Sequence, residues 1–147
     1  MQRLLPPILV AGLAGVMALL HLVLPGMRLL AWPLNLVGLA PLILGFGTAI
    51  VGSAHFARVG TNIKTFNRPD RLVTDGAFRF TRNPMYLGLL TGLLGLWLLL
   101  GTLTPGLGVA VFFVAADRWY IPFEERAMTR VFGDRYAAYA GRVRRWL

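Results

Sequence analysis

Arg82-Asn83-Pro84-Met85-Tyr86-Leu87-Gly88 stands at the lip of a leucine-rich run, and Glu124-Glu125 follows about forty residues later at the end of another. Adjacent carboxylates can accept from the ammonium or ribose hydroxyls of a polar ligand. Each group also has a plainer reading. Pro84 suits a helix start, where its missing N–H would be unsatisfied anyway. Arg82 can anchor a helix at the inner leaflet, and Tyr86 can sit at headgroup level. Glutamates in the first turn after Pro122 would favour the positive end of a helix dipole. Asp117-Arg118 falls inside the fourth apolar run, where ionisable groups are costly and are either paired or functional. The absence of cysteine excludes disulfides, thiolate zinc sites and cysteine nucleophiles. With two histidines, His21 and His55, no metal centre is expected. His21 reads as a hydrogen bond between helices, and His55 as an interfacial residue close to the candidate site.

The elements that must position these groups are apolar. Of the 147 residues, 56% are hydrophobic and 14% charged, with mean hydropathy +0.64, more apolar surface than one soluble core of this size can hide. Four runs, at about 4–24, 34–56, 85–103 and 104–123, each approach the ~20 residues that cross a bilayer. The first run is longer than a secretory signal core and is followed at once by a second, so it reads as a mature helix. The net charge of +9 could suggest nucleic acid in a soluble protein; here the basic residues cluster between apolar runs and point to anionic lipid headgroups instead. Fourteen of the fifteen Lys/Arg residues fall before the first run, between the second and third, or near and beyond the end of the fourth; Arg28 is the exception. Both termini and the central loop are therefore expected to be cytoplasmic.

The expected architecture is an all-α integral membrane protein of one domain, 1–147, with four spans. The polar complexity lies in a cytoplasmic loop at 58–83 and a C-terminal segment at 124–147. In the loop, Asp75-Gly76 could close a small hairpin or turn. In the tail, Gly133-Asp134 reads as a helix stop followed by an N-cap, and Pro122 as a kink or a new helix start. Tyr136, Tyr139, Val143 and Trp146 recur at helical spacing, which predicts an amphipathic helix lying on the inner surface. Gly12 and Gly15, Gly45 and Gly52, and Gly88, Gly92 and Gly95 predict close helix packing, with Gly88 set apart for a site role.

The 82–88 stretch resembles the Arg-His-Pro-x-Tyr-x-Gly motif of the isoprenylcysteine carboxyl methyltransferase family, and more closely the Asn-Pro-Met-Tyr form of phosphatidylethanolamine N-methyltransferases. Glu124-Glu125, Phe132-Gly133, Tyr136, Tyr139 and Arg142-Val143 follow that family's order and spacing. Gly60-Thr61 and 72–78 resemble the lead-in of bacterial members, so the resemblance runs over roughly 58–147. It implies an integral membrane methyltransferase of the bacterial inner membrane that uses S-adenosyl-L-methionine, with cytoplasmic segments capping the cofactor pocket. The acceptor, lipophilic or small, would be a carboxylate, an amine or a thiol. Carried over by position, the cofactor-binding residues would be Gly76, Arg82, Asn83, Pro84, Tyr86, Leu87, Gly88, Glu124 and Glu125. The catalytic residues would be Arg82, Glu124, Glu125 and Tyr139. Asn83 replaces the motif's common histidine.

Two other classes compete. An NADPH-dependent reductase of the related sterol-reductase type would share the scaffold, but it lacks the Glu-Glu pair and usually places an acid where Leu89 follows Gly88. A four-helix transporter would need an acid in its first span, and the first three runs contain no Asp or Glu. The sequence carries no signal of oligomeric state.

Overall fold

A computed structural model describes residues 5–59 and 71–147, with side chains at 5–54 and 71–147. The candidate residue His55 and the lead-in Gly60-Thr61 lie outside the described side chains. The fold of the described part is helical apart from one isolated bridge between Arg28 and Thr102. Helix α1 is Pro6–Val23, α2 is Leu39–Val59 preceded by a 3-10 turn at Leu34–Gly38, and α3 is Pro84–Leu100. Helix α4 (Gly106–Ala115) runs through a π-helical turn at Ala116–Tyr120 into α5 (Ile121–Phe132), and α6 is Asp134–Ala140.

Among the described residues, three helical segments are long and apolar enough to cross a membrane: Pro6–Val23, Leu34–Ala54 and Gly106–Phe132. Helix α3 coincides with the third apolar run, but its 17 residues rise only about 26 Å at 1.5 Å each, short of a ~30 Å hydrocarbon core. The fourth run does not stop near Phe123. Ala115, Ala116, Tyr120 and Ile121 keep right-handed helical dihedrals, and the Ile121 N–H donates to the Ala116 carbonyl, five residues back. That widened turn directly precedes Pro122, which lacks an N–H and would crowd the carbonyl four residues earlier. Pro122 is therefore absorbed within a continuous helix, where the sequence suggested a kink or a fresh start.

Helices α2 and α3 pack backbone to backbone. A Cβ on Gly88 would stand 2.6 Å from the Gly45 carbonyl oxygen and 2.8 Å from the Ala49 nitrogen; one on Gly95 would meet the Gly38 carbonyl at 2.7 Å. Gly52 faces Met85. Gly12 and Gly15 have nothing within 4 Å, so on α1 the expected glycine packing is absent; there Met17 packs over Gly108 of α4 instead. The connections that follow α1 and α3 zip together, with Leu29 and Leu30 N–H donating to Gly101 O and Leu103 N–H to Met27 O. His21 reaches across to the same loop, its Nδ1 2.9 Å from Thr102 Oγ1, as expected of a histidine bonded to a neighbouring segment.

At the opposite end Val73 and Phe78 bury against Tyr136 and Tyr139. Of the hairpin or turn expected at Asp75-Gly76 the structure forms the turn, a 3-10 turn at Gly76–Arg79; Gly76 takes φ 57°, a turn conformation that suits glycine. The tail departs from the sequence reading. The tail helix ends at Ala140, and Tyr136 and Tyr139 are 6% and 5% exposed, so their face is turned to protein and not to the membrane surface. Trp146 belongs to the other core, with its ring 5.3 Å from that of Phe113.

Candidate functional site

Asn83 and Pro84 place the first turn of α3 beside the π-helical turn and the start of α5, which brings the two motif halves together. Tyr86 Oη donates to Glu124 Oε1 at 2.8 Å. One residue on, Glu125 turns to a different side, because successive residues on a helix point about 100° apart. Glu125 Oε1 pairs with Arg82 Nη1 at 3.2 Å, and its Oε2 accepts from Arg145 Nη2 at 2.7 Å. Helix α5 has no free N-terminus here, so the dipole explanation for the two acids does not apply: the chain is helical from Gly106 onward.

Glu124 and Tyr86 form the polar edge of a cavity of about 400 Å³ between the first turn of α1, the second half of α2 and the start of α3. Its other walls include Pro6, Pro7, Phe46, Ile50, Met85 and Leu89, all apolar. Behind Tyr86 the Tyr120 ring stacks at 6.2 Å, and Trp119 stacks on Tyr120 at 5.7 Å. The buried Nε of Arg82 has no hydrogen-bond partner among the described residues.

Several predicted site residues have structural partners. The Asn83 amide donates to the Arg145 carbonyl at 3.0 Å, and its backbone N–H donates to Thr81 Oγ1 at 3.1 Å. Gly88 is covered by α2, so the close approach it permits is between helices. Leu87 is half-buried and does not line the cavity, and Gly76 is exposed in its turn. Tyr139 lies in the cap: its hydroxyl donates to the Phe78 carbonyl at 2.7 Å, and burial pushes its pKa up to about 12. A phenol so held clamps the cap and is a poor proton acceptor at neutral pH. Tyr136 is also raised, first by burial and then by the Glu125 charge, against the opposing Arg82.

Sequence reasoning missed Arg145 and Trp146. Asp117 Oδ1 accepts from Arg145 Nη1 at 3.2 Å and from Trp146 Nε1 at 3.0 Å, while Arg118 lies 83% exposed, 3.6 Å from the same carboxylate. Asp117 is thus paired, by the tail more than by its neighbour. The Arg145 guanidinium is held above its ordinary pKa, first by its hydrogen bonds to Glu125, against the cost of burial. No group of three or more His, Cys, Asp or Glu residues able to hold a metal occurs among the described residues.

A family model described as phospholipid methyltransferase matches residues 34–135, which contain both motif halves. The chain belongs to the phospholipid methyltransferase family. It is also similar to protein-S-isoprenylcysteine O-methyltransferase B of Arabidopsis thaliana, 32% identical over 124 residues, or 81% of this chain and 61% of that one. An uncharacterized protein of Haemophilus influenzae is 43% identical over 63 residues, 43% of this chain and all of the relative. Family membership supports a methyltransferase and gives no support to the reductase or transporter readings. Together with the three long apolar helices it supports an integral membrane protein.

Proposed function

We propose that this phospholipid methyltransferase family member transfers a methyl group from S-adenosylmethionine to a lipophilic or small acceptor at the cytoplasmic face of the bacterial inner membrane. In this reading α3 is a fourth span and both termini are cytoplasmic. The observation that carries the proposal is the Tyr86–Glu124 hydrogen bond, where a charged cluster meets an apolar cavity large enough for part of a lipid chain.

The residues present fit the donor. Its carboxylate needs a cation, and Arg82 is one whose buried Nε–H has no partner among the described residues. Its ammonium or ribose needs a carboxylate, which Glu124 or Glu125 offers. A sulfonium is favoured beside aromatic faces, and Tyr86, Tyr120 and Trp119 form a stacked series. When bound, the donor supplies an already activated methyl group, so the chain's task is alignment and exclusion of water. Arg82 would meet the carboxylate and a glutamate the ammonium or ribose, while Tyr86, Tyr120 and Trp119 would keep water from the sulfonium. Asn83, Gly88 and Tyr139 contribute through geometry: a tail tie, a helix contact and a cap clamp. A carboxylate acceptor needs no base. An amine acceptor must lose a proton, and Glu124 at the polar edge of the cavity is placed to accept it.

The test is transfer of a radiolabelled methyl group from S-adenosylmethionine into total lipid and small-molecule extracts by the purified chain. Label in one acceptor fraction, lost in Arg82→Ala and Glu125→Ala, is expected. Titration heat with NADPH but none with S-adenosylmethionine or its demethylated product would overturn the reading.

A further inference from the structure

The tail is bound to the 81–83 segment through its main chain and to the acids of the π-helical turn and α5 through its side chains. Thr81 Oγ1 and Asn83 Nδ2 both donate to the Arg145 carbonyl at 3.0 Å, and the Arg82 N–H donates to the Arg144 carbonyl at 2.9 Å. From that fixed backbone the Arg145 guanidinium forks onto Glu125, Nη2 to Oε2 at 2.7 Å and Nε to Oε1 at 3.3 Å, while its Nη1 reaches Asp117 at 3.2 Å. Two parallel donors on one carboxylate fix its plane as well as its position. The same Oε1 then receives Arg82 Nη1 at 3.2 Å, and this contact orients the second guanidinium, whose buried Nε–H has no partner among the described residues.

We propose that Arg145 is a positioning residue: through Glu125 it orients the Arg82 guanidinium that pairs with the methyl donor's carboxylate. The inference rests on the reading of Arg82 as that carboxylate's partner. A lysine at 145 keeps the charge but cannot form the fork, so Glu125 can rotate and Arg82 with it. The loss should fall on the donor's carboxylate and leave the rest of the donor untouched.

The experiment is titration calorimetry on the detergent-purified full chain, using S-adenosylmethionine and decarboxylated S-adenosylmethionine, which differ by that one group. The native protein should prefer the carboxylated compound. Arg145→Lys should weaken it about tenfold and leave the decarboxylated compound within twofold, which is a loss of selectivity and not of folding. Asp117→Asn, which frees only one arm of Arg145, should move the ratio the same way by about threefold and serves if the lysine variant does not fold. Equal weakening of both ligands, or an unchanged ratio in a folded variant, overturns the assignment of Arg145 alone. A native protein that binds neither compound, or both equally, overturns the donor-site reading and this inference with it.

Discussion

Glu125→Gln keeps the shape of the side chain and removes the charge that Arg82 and Arg145 share. It breaks or weakens the bonds to Arg82 Nη1 at 3.2 Å, to Arg145 Nη2 at 2.7 Å and to Arg145 Nε at 3.3 Å. The glutamine oxygen can still accept one donor, but its amide would face the other guanidinium donor to donor. Breaking a fully buried ion pair costs about 3–5 kcal/mol. These side chains are 17%, 19% and 34% exposed, and Asp117 still holds Arg145, so solvent and that second partner reduce the cost to about 2–3 kcal/mol. For a chain of this size that corresponds to a fall in Tm of roughly 5–10 °C. Thermal unfolding of the detergent-purified protein, followed by tryptophan fluorescence, measures it. Arg118→Ala is the internal control, because Arg118 is 83% exposed at 3.6 Å from Asp117 and its removal should leave Tm nearly unchanged. If Glu125→Gln melts within about 1 °C of the native chain, or no lower than Arg118→Ala, the shared-carboxylate account is wrong.

Gly88→Val should destabilise by at least ~2 kcal/mol, because its Cβ would meet the Gly45 oxygen at 2.6 Å and backbone cannot yield as a side chain can. Gly12→Ala, with nothing within 4 Å, should be neutral or raise Tm slightly; comparing the two melts tests the α2–α3 contact. Alkaline pH should act through Tyr139. Its folded pKa of about 12 lies above the unfolded value near 10, so the protonated phenol contributes stability that is whole below pH ~10 and is lost between about 10 and 12. The full loss is on the order of 3 kcal/mol, and Tyr139→Phe should flatten the fall in Tm over that window; an unchanged slope would refute the clamp. Tyr86→Phe removes the hydroxyl that donates to Glu124 at 2.8 Å and should lower methyl transfer about tenfold while the protein still binds S-adenosylmethionine, whereas native turnover would show the contact is idle.

What could be read from the chain is what repeats or clusters along it. Hydropathy marks the apolar helices because each segment carries its own signal, and Gly45, Gly88, Gly92 and Gly95 announce a close contact because only such contacts reward so many missing side chains. The tail could not be read in this way. Tyr136 and Tyr139 recur at a spacing that suits a membrane surface and a protein groove equally, and only the 72–78 segment folding over them decides the matter. Arg145 looked like one more inner-leaflet cation among many, since nothing local distinguishes an arginine that finds Asp117 and Glu125 from one that finds water. Asn83 shows the same limit from the other side: as a motif residue it suggested a ligand, yet its amide binds a carbonyl 62 positions away. The pair Glu124-Glu125 combines both cases. Its presence was legible, but its division of labour follows from a helix that continues unbroken through Pro122. That continuity points one acid into the apolar cavity and the other into the arginine cluster. Two identical neighbours thereby gain different chemistry from one turn of backbone, and substituting them one at a time should produce two different defects.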